Sequence, residues 1–397
     1  MPRSACSQPA DVLRSAQPIA YDFAAPWKGS LVRKVTLQDL AEQLGVARST
    51  VSRALRDDLQ ISAATRARVR RLAHEAGYHP NAAARALTHR SSGAIGLVLP
   101  RSARFVFANP YFSDLLDGIA SVAEPDGFPL LVSASRRPDY ARWLQEGRVD
   151  GLIALGSSLS QADLELLEGL AQTGAAIALI GPPATPSTLR VVACDERPGI
   201  ECACEHLRHA GHTRVALVAG PAHAHYARAR ARAWQDAAER AYLTLEQVVH
   251  GDDTFDGGKK AATSLLATRS AASAWLFGND LMAFGALRAL DEAGRASPDD
   301  VAMIGFDDVM PAALLGLSTI HQPSHELGAD AMRSVAAELR RTPHTDGSHV
   351  THFVPRRTSE APSERSPRTT EGGRIDRGPI DPSAPAPPVR PGRTRRA

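Results

Sequence analysis

The chain of 397 residues has no apolar stretch approaching the roughly 18 consecutive residues that a membrane-spanning helix needs, so no span is expected. Residues 1–33 also lack the continuous apolar segment of a secretory signal, because Pro2, Pro9, Pro18 and Pro26 interrupt them. Cysteine is scarce. Cys6, Cys194, Cys202 and Cys204 are too few to staple a chain of this length, which excludes a disulfide framework. Together these absences point to a soluble, reducing, cytoplasmic setting. Lysine is nearly missing too: Lys28, Lys34, Lys259 and Lys260 are the whole complement, so the positive charge is almost all arginine. The planar arginine fork matches guanine edges and phosphates. No Gly-x-Ser-x-Gly elbow and no glycine-rich phosphate loop after a strand occurs, which argues against an enzyme.

A hydrophobic fraction of 43% with 22% charge is that of a globular chain, and its length exceeds one ordinary domain. The net charge of +3 says little, but its distribution says more. Residues 32–90 carry 11 Lys/Arg against 5 Asp/Glu. Such a block suits a polyanion, the plain alternative being a solvated helical face. The C-terminal residues 358–397 hold eight prolines and eight arginines with few aliphatics, too little apolar surface to fold. Their last arginines would add only weak, nonspecific attraction to nucleic acid.

Residues 35–90 read as helical. Thr36 is placed to cap a first helix with Asp39 in its first turn, and Leu37, Leu40, Ala41 and Leu44 recur on one face. Gly45 breaks that helix. A second helix from about Arg48 to Arg56 buries Val51, Ala54 and Leu55, and Ser62 caps a third that Gly77 stops. Two short helices joined at Gly45-Val46 have helix-turn-helix spacing, in which the second helix enters the major groove. That helix offers Arg48, Ser49, Ser52, Arg53 and Arg56 on its polar face. A basic helical interaction module is the bland alternative.

From Ala94 the pattern changes to short apolar runs alternating with amphipathic helices. Ile95–Leu99, Leu130–Ser133, Leu152–Leu155, Ile177–Ile180, Val215–Val218, Ala274–Phe277 and Val301–Phe306 read as buried strands. Strand and helix in regular alternation imply parallel sheets covered on both faces, here two doubly wound subdomains with a cleft between them. Ligands bind such sheets beyond the carboxyl ends of the strands. Asn279-Asp280, Asp307-Asp308 and Arg230 all fall there, a set of polar groups suited to a sugar or nucleoside. The plain alternative is that each merely caps a helix, a role that fits Asp280 and Asp308. Cys194, Cys202, Cys204, His206, His209 and His212 cluster in sequence, yet Cys202 and Cys204 would stand about 200° apart around a helix and cannot share one ion. No metal and no cofactor is expected.

The string Val35-Thr36-Leu37-Gln38-Asp39-Leu40-Ala41, Gly45-Val46, Thr50-Val51-Ser52-Arg53-Ala54-Leu55 resembles the headpiece of the lactose/galactose repressor (LacI) family. The likeness continues through Ser62, Thr65-Arg66, Val69, Gly77–Asn81 and Ala84–Leu87. It implies base reading by Arg48, Ser49 and Arg53, with support from Thr36, Thr50, Ser62 and Thr65. Arg56 departs from the usual asparagine and would add a phosphate contact. Asn81, Arg85 and Leu87 would belong to a hinge helix in the minor groove, where Leu87 wedges into the central base step.

At lower density the resemblance extends to about Thr358, through Asn109–Phe112, Val149–Gly151, Phe277–Asp280, Ile304–Asp308 and Thr319–Pro323. It implies effector contacts at Arg230, Asn279, Asp307 and Gln322, while Phe112 and Phe255 are candidates for stacking on a ring. Gly181-Pro182-Pro183 stands where some sugar-binding members place an acidic residue, and the Ser135–Arg148 stretch is short. The expected fold is an all-α helix-turn-helix headpiece followed by an α/β two-subdomain core like the periplasmic binding proteins, with doubly wound parallel sheets.

The expected divisions are an extension over 1–33, the helix-turn-helix domain over 34–79, a hinge helix and linker over 80–92, the ligand-binding and dimerisation core over 93–357 and the tail over 358–397. The expected function is a sequence-specific transcriptional regulator, a repressor, that binds near-palindromic operator DNA as a homodimer under control of a small-molecule effector, a sugar or related polyhydroxylated metabolite. The competing expectation is a stand-alone sugar-binding protein without gene control.

Overall fold

A computed structural model of the chain describes residues 35–55, 57–78, 91–135, 139–268, 270–345 and 347–360. Contacts divide the chain into two compact units, one before and one after the Arg90/Ser91 junction. The expected calls on Arg56, Asn81, Arg85 and Leu87 lie outside the described residues, as do those on residues 1–33 and 361–397.

The first unit is three helices, α1 (Leu37–Leu44), α2 (Arg48–Leu55) and α3 (Ala63–Glu75). Thr36 caps α1 in a reciprocal box: its hydroxyl accepts from Asp39 N while Asp39 accepts from Thr36 N. That satisfies two otherwise orphaned amides. Gly45 ends α1 at φ +67°, a left-handed conformation that glycine adopts without a side-chain clash. Leu40, Val51 and Ala54 are fully buried, with Val69 and Ala73 closing the core from α3. Burying a leucine such as Leu40 contributes about 1.5–3 kcal/mol, so three such helices can hold one another where none would persist alone.

The second unit has two lobes. The first lobe contains a parallel sheet ordered β2-β1-β3-β4-β5, from β1 (Ile95–Leu99), β2 (Leu130–Ala134), β3 (Gly151–Leu155), β4 (Ala176–Ile180) and β5 (Arg190–Val192). Its helices are α4 (Ala103–Ala108), α5 (Pro110–Ala123), α6 (Tyr140–Gln145) and α7 (Gln161–Gln172). β1, β3 and β4 are buried at every position, which is why they read as continuous apolar runs.

After β6 (Cys194–Asp195) and α8 (Arg197–His209) the chain builds the second lobe. This is a parallel sheet ordered β10-β9-β7-β8, from β7 (Arg214–Ala219), β8 (Thr244–His250), β9 (Ala274–Phe277) and β10 (Ala302–Ile304). The accompanying helices are α9 (His225–Arg240), α10 (Phe255–Ala267), α11 (Asp280–Glu292) and α12 (Met310–Leu315). The chain then returns through β11 (Thr319–His321) to α13 (Ser324–Arg340), whose Leu327, Met332 and Val335 belong to the core of the first lobe. Gly118 of α5 and Gly328 of α13 let these helices touch through backbone, since a Cβ on either would collide with a carbonyl of the other. β12 (His349–Val350) pairs with β6 and β13 (His352–Val354) with β11. Among the described residues no helix is long and apolar enough to cross a membrane.

Several expectations need correction. β8 had no sequence signal: Thr244–His250 is an edge strand with mixed polarity and mostly half-buried residues. The strand expected over Val301–Phe306 is shorter, Ala302–Ile304; beyond it Gly305 N and Asp307 N donate to Ser318 O and Ile320 O, and the backbone turns to positive φ at Asp307 and Asp308. Helix α9 starts at His225, which places Arg230 in its second turn. The expected core boundary at 357 is too early. Thr358 and Ser359 are fully buried, and Thr358 Oγ1 donates to Met303 O at 2.8 Å.

Candidate functional site

In the first unit, α2 presents Arg48, Ser49 and Arg53 to solvent while Val51 and Ala54 face inward. Thr50 and Ser52 are half-buried. Arg53 approaches Asp58 only at 3.9 Å, a weak exposed pair. Ser62 caps α3 by accepting from Thr65 N, and its hydroxyl lies 2.8 Å from Thr65 Oγ1. Arg66 is spent internally, donating to the carbonyls of Asp58 and Ile61 and so pinning the loop between α2 and α3. Thr36, Ser62 and Thr65 thus have structural work in their caps whatever else they contact.

In the second unit, all five expected ligand residues, Phe112, Arg230, Asn279, Asp307 and Gln322, line one cavity of about 800 Å³ including its mouth. It lies beyond the carboxyl ends of both sheets. Each sheet reverses its strand order at this place, β1/β3 in one lobe and β7/β9 in the other, so the chain diverges there and leaves a crevice. Arg230 is the organising group. Its Nε and Nη2 donate to the Glu196 carboxylate at 2.9 and 2.6 Å, its Nη1 donates to Gly278 O at 2.7 Å, and it stacks 3.6 Å from the Phe306 ring centroid. Burial works against that charge, but Glu196 outweighs it and holds Arg230 above its ordinary value. Asp307 is raised well above the usual carboxylate range, because burial outweighs the nearby Arg230.

The five residues are not equivalent. Asn279 caps α11, accepting from Met282 N, and its Nδ2 donates to Asp253 O at 3.0 Å, so most of its amide is already committed. Phe112 is buried in the first-lobe core and meets Phe105 and Tyr111 edge-on. Phe255 is not at the site: it opens α10, half exposed, with its carbonyl against Gly285. Among the described residues neither Asp280 nor Asp308 is the cap of a helix, those positions being Asn279 and Val309. Asp280 is wholly buried, accepting from Thr319 Oγ1 at 2.6 Å and Val309 N at 3.0 Å, while Asp308 pairs with Arg356 at 2.7 Å and His321 at 3.2 Å.

Sequence reasoning missed Arg101, Glu196, Tyr226 and Asp253, which also line the cavity. Arg101 Nη2 donates to Tyr226 OH at 2.8 Å, and Tyr226 OH donates to Asp253. Their common signal was position after β1, β6, β7 and β8, but β6 and β8 were not legible. Cys202 is exposed and Cys204 buried, so the two face opposite sides of α8. His206 bonds Ser359, and His212 bonds Ser273 at 2.8 Å.

A model of the lacI family of bacterial regulatory proteins matches residues 36–81, and one of the periplasmic binding protein-like domain matches 204–359. The transcriptional regulator DegA of Bacillus subtilis is 31% identical over 318 residues, which cover 77% of this chain and 92% of DegA. The chain belongs to the LacI family. The ribose operon repressor of Escherichia coli is a further relative, 32% identical over 74% of this chain and 89% of its own length. Among solved structures, the lac repressor dimer bound to operator and an anti-inducer matches with a TM-score of 0.74 and 28% identity, covering 83% of this chain and all of that one. The CelR–cellobiose complex matches at 0.61 and 28%, covering 82% of this chain. This LacI-family member is a DNA-binding transcriptional regulator, with a helix-turn-helix followed by an α/β core of the periplasmic-binding-protein type. The relatives are regulators, not enzymes.

Proposed function

We propose that this regulator is a cytoplasmic homodimeric repressor whose hold on a near-palindromic operator is set by a hydroxyl-rich small molecule in the Arg230–Asp307 cavity. The observation that carries the reading is that cavity, in which a buried carboxylate and a guanidinium face one another beyond two sets of strand ends. Alternating donors and acceptors of this kind match vicinal hydroxyls, which donate and accept at once. Relatives named for ribose regulation and for cellobiose binding support the same chemistry. In the DNA-reading unit, Arg48, Ser49 and Arg53 are assigned to base edges. Asn81, Arg85 and Leu87 are assigned to a hinge on the resemblance alone, and Arg56 to phosphate.

The test is to titrate sugars against the free protein and against its complex with a duplex selected from a random pool. Coupling requires different effector affinity in the two states, since allosteric free energy is reciprocal. Asp307→Ala should lose about 1.5–3 kcal/mol, or roughly 10- to 150-fold, in effector affinity, with DNA affinity in the absence of effector unchanged. Equal effector affinity for free and DNA-bound protein would refute gating by this cavity.

A further inference from the structure

Two polar residues of the cavity stand on segments that run side by side. After β10 the chain follows β11: Gly305 N donates to Ser318 O at 2.8 Å and Asp307 N to Ile320 O at 2.9 Å, and Asp307 bridges His321 in parallel. Asp307 and Gln322 line the cavity, whereas their chain neighbours Asp308 and His321 are not part of its lining. Those neighbours meet each other, with His321 Nδ1 at 3.2 Å from Asp308 Oδ2. One pair of residues thus lines the cavity, and a second pair, one step along each segment, joins the same two segments by their side chains.

The backbone at this junction has to be held. Asp307 and Asp308 sit at φ +112° and +60°, a region that residues with a Cβ enter rarely and keep only when their surroundings impose it. The side-chain contacts that can impose it fall on Asp308. Arg356 Nη2 donates to its other carboxylate oxygen at 2.7 Å, while Nη1 of the same guanidinium donates to Leu317 O at 2.9 Å. His321 packs against the ring of His352 on the paired strand β13, with 4.6 Å between centroids.

Charge sets how firmly the pair is closed. Burial would raise Asp308, but its bonds to His321 and Arg356 outweigh that and hold it below its ordinary value. The bond to Asp308 lifts His321 above its ordinary value against burial, and Glu326 of α13 and Asp114 of α5 add to the rise. Asp308 is therefore ionised wherever His321 changes charge. The bond is charge-assisted while His321 is protonated and loosens as pH rises through the raised His321 value, although a neutral ring still donates from Nδ1.

We propose that Asp308 and His321 are positioning residues for the effector site, holding Asp307 and Gln322 in register so that the grip on effector weakens with rising pH. This rests on the effector reading above. One readout needs no ligand. Asp308→Asn tolerates the left-handed backbone but carries no charge, and hydrogen exchange at the Asp307 and Gln322 amides should quicken about tenfold, with the amides of β9 unchanged. The other is calorimetric titration of the full chain with ribose, glucose and cellobiose, using each sugar that wild type binds. Asp308→Asn should bind it about tenfold more weakly, with far-ultraviolet circular dichroism as in wild type. His321→Asn keeps a donor near the Nδ1 position and cannot be charged. Between about pH 6 and about pH 8.5 wild type should lose more affinity than His321→Asn, since the carboxylates of the cavity are common to both. Unaltered exchange at the two amides in Asp308→Asn, or the same pH dependence in wild type and His321→Asn, overturns this inference and leaves the effector reading standing. Binding of none of the three sugars by wild type overturns both.

Discussion

At the scale of single residues, what a side chain can do depends on what already holds it. Arg230 and Arg101 are the same residue type on one cavity, yet one is closed on a carboxylate while the other donates to Tyr226 OH and has a buried Nε without a partner among the described residues. Arg66 and Arg48 show the same contrast in the DNA-reading unit. Arg66 is folded onto two carbonyls, whereas Arg48 stands exposed at the first position of α2. A free fork there is geometrically able to grip guanine O6 and N7 together. Arg48→Ala should therefore cost about 1–3 kcal/mol on the preferred duplex and relax selection at one base pair per half-site. Sequencing duplexes selected by wild type and variant checks this. An unchanged base preference would move the reading role to another residue.

Among the elements, β1 and β3 run side by side from one end of the first lobe to the cavity, with Ile95 in register with Gly151. At the cavity end they deliver Arg101 and Ser158. At the other end Asp150 binds the segment that follows the Arg90/Ser91 junction: it accepts from Ser91 Oγ at 2.6 Å, Ser92 N at 2.7 Å, Ser92 Oγ at 2.8 Å and Gly93 N at 2.8 Å. Burial would raise its carboxyl, but these four donors outweigh that and hold it below its ordinary value. Asp150→Ala should cost about 2 kcal/mol, less than four charged hydrogen bonds would sum to, because the site is partly open to water. Hydrogen exchange should report the loss at the Ser92 and Gly93 amides first, with those of β1 still protected. The sign with pH follows: a depressed carboxylate contributes above its unfolded value, and the contribution fades as pH falls through the folded one. Slow exchange at both amides in the variant would mean that something other than Asp150 fixes the segment.

Over the whole second unit, stability depends on how the returning chain is stitched to both lobes. Asp280 lies at that seam, joining the start of α11 to Thr319 of β11 and to Val309 N. Burial pushes its carboxyl from 3.8 up to about 7. The native state thus keeps a proton that the unfolded chain has released. Its contribution is fully present below the unfolded value and is lost as pH rises through about 7. Asp280→Asn, fixed in the neutral form, should lack this dependence. Urea midpoints at about pH 5 and about pH 8 provide the check: wild type should lose more stability over that interval than the variant. Parallel behaviour would show that Asp280 does not titrate there.

The alternation of apolar runs and helices was legible because β1, β3, β4 and β9 are buried on both faces, a condition written into consecutive residues. Caps such as Thr36 and Ser62 were legible for a like reason, since they act within three residues of themselves. The five expected cavity residues could be placed from strand ends and family likeness. By contrast, the edge strand β8 and the two-residue β6 owe their form to neighbours far along the chain, and no local period announces them. The same holds for the Arg230–Glu196 pair, 34 residues apart, and for the Arg101–Tyr226 bond, 125 apart. Sequence by itself determined the three headpiece helices, most of the buried strands and that a basic helical unit precedes an α/β core, although Leu130–Ser133, read as buried, forms the partly exposed edge strand β2. Only the tertiary structure decided that Arg230 is paired with a carboxylate and Arg101 with a tyrosine, because electrostatic pairing and burial depend on distance in space rather than along the chain.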